Sequence, residues 1–490
     1  MTVGDEFIAM GAGYGGLTAA ALLLKHGYNV TLLESHSTLG GCAGYFKRKD
    51  FLFDVGATTL SGFNVGQPLY NIFHELDISP KVKQVDPGLI VKIDDLTITR
   101  HADREKWIAY AAEVFNDKQQ IPFWNELYTL ADKAYKIIRK DNRIPPTSLG
   151  DYLSLISIEN LKATPLLFAV ITSFTSFMKK HKVDKNDVFR RFIENQLFIT
   201  AQNTAKDTPL LTAAMGLTYP SETFYPYGGM SAPALDLANY IKNHGGKIHT
   251  KQEVAGITAT NNGYEVTTKR GSVFAGKGIV SNIPTWNMKT LTNGAVKKYF
   301  DSIKPEKVEP WGAFTLNFAI EDFEDLPTTY FQIHTPSIAP HCNSQAFFVS
   351  FSMSDDQLKA PIGWRTVTIS LHTRPSYWNV DDNTYNEMKN ETIQFIMNAF
   401  YNAFPKAFGK EILYLMAGTP KTFQFYTKRH NGLVGGIPHS IRSPLIFMTP
   451  NATPFRNLYL VGDSVFPGQG TVSVAMGAAN AVQHLLRTNK

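Results

Sequence analysis

The stretch Phe7–Glu34, FIAMGAGYGGLTAAALLLKHGYNVTLLE, constrains the fold more than any other. A short apolar run meets a glycine loop, a small-residue helix follows, and a second apolar run ends in an acid. Gly11, Gly13 and Gly16 form G-x-G-x-x-G. In such a loop the first glycine permits a tight turn. The second lets backbone approach a pyrophosphate, and the third lets helix and strand pack closely. The helix then aims its N-terminal amides, and the positive end of its dipole, at the phosphates. Glu34 lies about 20 residues past the loop, where a carboxylate takes ribose hydroxyls. Glycine-rich turns are common, so the motif alone is a weak signal. Strand, helix, strand and acid supply the context it requires, and the segment predicts a dinucleotide-binding βαβ unit.

Composition narrows the remainder. A chain of 490 residues fits two large domains or three ordinary ones. Its 33 Phe and 21 Tyr suit large apolar cavities as well as large cores. The net charge of +6 is mild and reads first as ordinary surface charge, with help in sitting on an anionic membrane as the alternative. No long basic run or basic helix face appears, so nucleic acid is not an expected partner. Cys42 and Cys342 are the only cysteines, too few for a disulfide framework or a Cys/His zinc site. This favours a reducing compartment or indifference to redox state, and no metal is expected. Leu17–Leu24 looks like a signal-peptide core in isolation. It directly follows the glycine loop and belongs to the βαβ helix.

Further along, Gly40 and Gly41 precede the apolar run Phe51-Leu52-Phe53-Asp54. Two adjacent glycines allow a second close approach of backbone to cofactor. A flavin extended across the domain needs this and a NAD-only unit does not; a plain loop is the alternative. Residues 70–225 show helical periodicity, as in Trp124, Leu127, Leu130, Ala131 and Ala134. The most apolar run is Ala163–Met178, followed by Lys179, Lys180, His181 and Lys182. It contains Pro165 and is shorter than the roughly 20 residues that span a bilayer. It reads either as a buried helix lining a cavity or as a helix dipping into one leaflet, with lysines at the headgroups.

Tyr227-Gly228-Gly229-Met230 is a turn that opens a helix. Strands are expected at Lys247–Thr250, Gly256–Ala259, Tyr264–Thr268 and Gly278–Asn282, with a hairpin turn at Asn261-Asn262-Gly263. From about residue 300 to 420 the pattern is strand-rich, through Phe314–Ile320, Ala346–Met353 and Thr366–Leu371. A helix at Tyr385–Phe404 follows. An apolar strand then ends in Gly462-Asp463, and a helix over Val472–Leu486 closes the chain. The expected fold is α/β: a discontinuous Rossmann-like FAD-binding domain with a mixed-sheet plus helical substrate domain. The first takes residues 1–69, 225–299 and 420–490; the second takes 70–224 and 300–419.

Three segments resemble the FAD-dependent carotenoid desaturases and carotenoid isomerases. They are the glycine loop with Glu34 and Gly40-Gly41, the Tyr227–Met230 turn, and LVGDSVFPGQG from Leu460 to Gly470. Thr419–Thr427 and Gly432–Gly436 resemble that family's C-terminal region, and the middle of the chain resembles it thinly. The resemblance implies FAD as cofactor. It implies that Gly11, Gly13 and Gly16 hold the pyrophosphate, with Gly15 in the same cofactor loop, and that Glu34 holds the adenosine ribose. Gly40 and Gly41 would pass close to the cofactor, and Val254 would offer backbone to the adenine. Asp463, after Gly462, would take the phosphate or ribityl side. Thr471 and Val472, at a helix N-terminus beyond Gly470, would face the isoalloxazine. A buried carboxylate needs hydrogen-bonding partners, and ribityl hydroxyls would serve Asp463. An N-cap for the last helix is its alternative role. Gly470 also suits an ordinary turn.

The same resemblance implies an oxidoreductase that introduces a C=C bond into an acyclic or monocyclic carotenoid. The expected route is hydride transfer from an allylic carbon to the flavin, then loss of the neighbouring proton. The resulting cation spreads along the conjugated chain, so a strong side-chain base is not obligatory and no catalytic residue is assigned. His430, His439 and Glu222 lie near the flavin segments and are candidates to assist, although such residues are more often structural. Cis–trans isomerisation or saturation on the same scaffold is the nearest alternative. An amine or protoporphyrinogen oxidase would show a polar or aromatic-cage site instead of a long apolar tunnel. A prenyl-lipid escort protein of related fold would lack FAD, which Glu34 and Gly462-Asp463 oppose. A carotenoid substrate implies a cytoplasmic protein bound peripherally to a membrane surface. Nothing in the sequence specifies a number of subunits.

Overall fold

The computed structural model describes residues 6–140, 164–303 and 309–488. Its first sheet gathers segments hundreds of residues apart. Glu6–Met10 lies in the middle. Asn29–Leu33 and Lys247–His249 extend the sheet on one side, Gly278–Ser281 and Leu458–Leu460 on the other. Every pairing is parallel. Parallel sheets are covered on both faces, so these strands are apolar runs and do not alternate. The first crossover is the helix Tyr14–Lys25, and the C-terminal helix Thr471–Thr488 packs in the same core. Ala19, Ala20 and Ala21 meet Ala475, Ala478 and Ala481 there, all fully buried. Side chains this small bring helix axes close together. Beside the sheet, Val254–Thr260, Gly263–Thr268 and Val273–Gly276 form an antiparallel meander. Its first turn falls at Asn261-Asn262, as expected.

The second sheet has seven strands. In spatial order they are Ile412–Gly418, Gly312–Glu321, Trp364–Thr373, Ala346–Phe351, Tyr330–His334, Leu89–Ile93 and Leu96–Arg100. Only the pairing of Tyr330–His334 with Leu89–Ile93 is parallel. The last two strands come from a stretch whose sequence shows mainly helical periodicity. Strands of five residues are shorter than the window in which that period is measured.

This sheet has two unlike faces. One carries Phe314, Leu316, Phe318, Val367, Ile369 and Leu371, packed with Ile396 and Phe400 of the helix Asp382–Ala403. That helix starts three residues before the expected Tyr385, because Asp381 accepts hydrogen bonds from the Asn383 and Thr384 amides. The alternate positions carry Thr315, Asn317, Thr368, Ser370, His372, Gln332 and His334. An alternating strand commonly turns its polar side to water. Here Thr315, Asn317, Thr368 and Gln332 are buried.

A helical layer stands over part of this sheet. Gln120–Lys140 buries Trp124, Leu127, Leu130, Ala131 and Ala134, the positions its sequence period marks. Phe123, Phe174, Phe189 and Phe192 complete an aromatic cluster. The Ala163–Met178 run, whose first residue lies outside the described ones, is two helices. Thr164–Ile171 ends before Ser173, which caps Phe174–Lys180 by accepting from the Ser176 amide. Phe174 and Phe177 are core residues, whereas Phe168 and Ile171 are exposed. Lys180 is paired with Glu126 at 2.6 Å.

Candidate functional site

A cavity of about 1840 Å³ runs from the glycine loop to the polar side of the seven-stranded sheet. Pockets for one small molecule are typically ~300–1,000 Å³, so this one has room for two ligands. Gly11, Gly13, Gly15, Glu34, Gly40, Gly41, Val254, Gly462, Asp463, Gly470, Thr471 and Val472 all line it. Gly16 does not. A Cβ there would stand 1.9 Å from the Gly11 carbonyl oxygen, so Gly16 serves the strand–helix contact.

At the cradle end, backbone replaces side chains. The Gly40 amide donates to the Ala12 carbonyl at 2.8 Å. A Cβ on Gly41 would lie 3.3 Å from the Gly13 Cα. The Asn282 side chain is the hub the sequence did not announce. A Cβ on Gly13 would lie 2.7 Å from its Nδ2; one on Gly15 or Gly462 would lie 2.7 or 2.6 Å from its Oδ1. Asn282 follows the strand Gly278–Ser281, and its amide donates to the Met10 carbonyl at 2.8 Å. Its one sequence signal is a polar residue directly after an apolar strand.

Glu34 is held by the amides of Ala12 and His36, each at 2.7 Å, and by the Ser35 hydroxyl at 3.0 Å. A carboxylate has about four acceptor sites, so capacity for a further donor remains. Asp463 already has a protein partner. Both of its oxygens accept from the Arg429 guanidinium, at 2.9 and 2.8 Å. The last helix begins at Thr471, so Asp463 is not its N-cap either. Cys42 lies close to this ion pair. Burial pushes its thiol pKa up, outweighing the pull of Arg429. Gly470 has a φ of +95° with open space beside it, at the N-terminus of an 18-residue helix.

Of the three residues singled out to assist chemistry, His439 alone lines the cavity. Burial lowers its pKa to about 4, so the ring is neutral near pH 7. Its amide donates to the Ala201 carbonyl at 3.0 Å, tying this segment to the end of the helix Asp187–Thr200. His430 is exposed, and Glu222 accepts from Gln67 at 2.8 Å outside the cavity wall.

The chamber end is assembled by register. Gly418, Thr315, Ser370, Phe348 and Gln332 form one row across five strands. The row spans ~19 Å at strand spacings of about 4.8 Å, and every member lines the cavity. Phe198, Ile199, Met215 and Tyr219 contribute apolar wall from the helical layer. The expected long apolar tunnel is thus half realised. Polar side chains run along its sheet side, because alternate positions of three strands point there. His372 is among them, its pKa lowered to about 4 by burial and then by Arg374.

Glycine backbone that any Cβ would fill, an acid at the second strand end and a helix N-terminus together fit an extended flavin dinucleotide. The comparisons agree. Residues 14–482 match the family described as flavin containing amine oxidoreductase, and the chain belongs to that family. It is a flavin-dependent oxidoreductase, with FAD as its cofactor. Among curated relatives, prolycopene isomerase 2 of an Oncidium hybrid cultivar is 26% identical, over 96% of this chain and 82% of its own. A 4,4'-diapophytoene desaturase of a Methylomonas species is 21% identical, over 96% of this chain and 93% of its own. The crystal structure of a Methanosarcina mazei oxidoreductase shares the fold at 19% identity and a TM-score of 0.62. That match covers 98% of this chain and 100% of the other.

Proposed function

We propose that this flavoenzyme acts on the conjugated chain of a carotenoid or related polyisoprenoid and introduces a carbon–carbon double bond into it. The observation that supports this reading most is the continuity of the cavity. A cradle for an extended cofactor opens without a break into a chamber whose sheet wall is ~19 Å wide, long enough for a polyene. The names of relatives that match nearly the whole chain point to the same class of substrate.

FAD, when bound, supplies a two-electron redox centre. The chain supplies position. Gly11, Gly13, Gly15, Gly40 and Gly41 would admit the pyrophosphate, Glu34 the ribose, and the Thr471 and Val472 amides the ring system. Arg429 holds Asp463, so Asp463 sets the guanidinium in place beside the cofactor. The loop after Asp54 is fixed by Tyr330, whose hydroxyl donates to the Thr58 carbonyl at 3.0 Å. Ser350 donates to the Thr58 hydroxyl at 2.5 Å. This loop would shape the junction between cofactor and substrate and exclude water from it.

Cis–trans isomerisation is the second reading, and one observation favours it. The wall where cradle meets chamber offers Gln202, Gln469, Thr212 and a neutral His439, none of them a strong base. An isomerase has no net proton to remove. Mass spectrometry of the product decides between the two. FAD-loaded protein incubated with acyclic carotenoids in liposomes should yield product lighter by two hydrogens. Unchanged mass with a shifted absorption spectrum would make the isomerase reading correct. The same liposomes test peripheral membrane binding through exposed Phe168 and Ile171. Among the described residues no helix is long and apolar enough to cross a membrane. Binding should be lost in a Phe168→Ser, Ile171→Ser variant.

A further inference from the structure

We propose that the side-chain oxygen of Gln469 is a catalytic group: it stabilises the positive charge left on a polyene when a hydride leaves for the flavin. This rests on the desaturation reading and adds a residue to its chemistry. Gln469 stands in the turn Gly468-Gln469-Gly470, just before the helix Thr471–Thr488. Both flanking glycines have positive φ, +102° and +95°, so the turn is tight and Gln469 is its one side chain. It lines the cavity where cradle meets chamber.

Its amide is fixed in one orientation. Nε2 donates to the carbonyls of Thr200 at 2.6 Å and Ile199 at 3.3 Å. An oxygen in that place would meet two other oxygens, so the flipped amide is excluded and Oε1 is the free end. Among the described residues no group donates to Oε1, and it keeps open surface on a half-buried, cavity-lining residue. Gly435 leaves room for it, since a Cβ there would lie 2.9 Å from Oε1.

The two carbonyls end the 14-residue helix Asp187–Thr200. A helix C-terminus carries roughly half a negative charge, on carbonyls that have no partner inside the helix. Gln469 bonds that end and presents its own oxygen, polarised by the contact, to the junction. The helix Thr471–Thr488 turns its positive pole to the cofactor. The two poles favour negative charge on the cofactor side and positive charge on the chain side. Hydride loss moves charge in that sense. An allylic C–H bond breaks, and the hydrogen leaves with both electrons for FAD, which is reduced. The chain keeps one positive charge, spread over its conjugated carbons. A neighbouring C–H bond then gives up its proton, ultimately to solvent, and its electron pair becomes the new double bond. An uncharged polyene offers no donor to Oε1, so before reaction the oxygen costs binding. It gains only as charge develops, which is what acceleration requires.

The test uses FAD-loaded protein with phytoene, ζ-carotene or neurosporene in detergent micelles. Anaerobic stopped-flow gives the rate of flavin bleaching in a single turnover. Tryptophan quenching of dithionite-reduced protein, which cannot turn over, gives affinity for the same probe. Gln469→Leu should slow bleaching by about 10- to 100-fold, the scale of one contact to a charge, while affinity holds or tightens. A structural defect weakens both. Gln469→Met, closer in length, stands in if the leucine variant loses its flavin. Unchanged bleaching, weakened affinity, a shifted flavin midpoint potential, or loss of flavin from both variants overturns the inference and leaves the desaturation reading intact. The last two would show the side chain serving the cofactor instead. Should the unaltered protein bleach with none of the probes, the desaturation reading falls and the inference with it.

Discussion

At the parallel sheet, space for a ligand is made by leaving side chains out; at the seven-stranded sheet, it is made by putting particular ones in. The cradle is glycine backbone wrapped around Asn282, and added Cβ atoms at Gly13, Gly15, Gly16 and Gly462 would strike protein atoms. The chamber is a buried polar surface, with Thr315, Asn317, Ser370, His372, Gln332 and His334 drawn from three strands. A backbone site is tolerant of what surrounds it and intolerant of substitution within it. A side-chain site is the reverse. The first suits a fixed cofactor and the second a substrate that differs between relatives.

The largest effect should come where the two regions are fastened. Lys359 and Asp54 form an ion pair with both side chains buried, and Asp54 also accepts from the Met230 amide at 2.9 Å. This joins the hairpin after the cradle to the loop beside the seven-stranded sheet. Lys359→Met leaves a buried carboxylate uncompensated and should destabilise by about 3–5 kcal/mol. Adding Asp54→Asn should recover much of that loss. Urea melts of both variants measure it; a double variant no more stable than the single one would show that the regions are not clamped here.

Next in size is Gly16→Val. The 1.9 Å approach to the Gly11 oxygen meets backbone, which cannot step aside as a side chain tip does. Overpacking of this kind costs ~1–3 kcal/mol or more. FAD should be lost on gel filtration, read as the ratio of flavin to protein absorbance. Full flavin content would mean that the cradle is more pliant than the chamber, inverting the contrast.

The contrast also explains what the sequence disclosed. The glycine loop, Glu34 and Gly40-Gly41 are neighbours in the chain, so their chemistry shows in a short window. Asn282 serves the same loop from the end of another strand, and its only local mark is a polar residue after an apolar run. Thr366–Leu371 reads as a strand, but whether its polar side meets water or a chamber depends on a helical layer folded over it. Asp463 seemed to lack a partner because Arg429 reaches it only through the fold. In the Ala163–Met178 run, composition could not reveal that Ser173 would start a new helix.

The chamber and its junction with the cradle each hold one neutral histidine, which gives a pH test. Burial lowers the pKa of His439 and of His372 to about 4. An unfolded imidazole titrates near 6.5, so between those values the unfolded chain binds more protons. Stability from these groups is therefore full above about pH 6.5 and lost as pH falls toward about 4. The slope is at most about 1.4 kcal/mol per pH unit for each ring. Urea midpoints at pH 7, 6 and 5 should fall in order, and His372→Gln should remove about half of the slope. A midpoint flat from pH 7 to 5 would contradict both burials.

The finest test compares two residues on the same polar wall. Gln332 is satisfied, because its amide donates to the Asn195 carbonyl and it also bonds to Gln196. Gln332→Leu breaks those bonds and leaves partners buried, for a loss of about 1–3 kcal/mol. Asn317 Oδ1 has no protein partner, so folding already bears its desolvation. Asn317→Leu removes that burden and adds apolar contact, so stability should change by less than about 1 kcal/mol, in either direction. Substrate affinity should fall all the same, since Asn317 lines the chamber. Thermal melts and ligand titration on both variants separate the two costs. If Asn317→Leu destabilises as much as Gln332→Leu, the wall is a structural polar network, and its distinction from the cradle reduces to which atoms hold the fold.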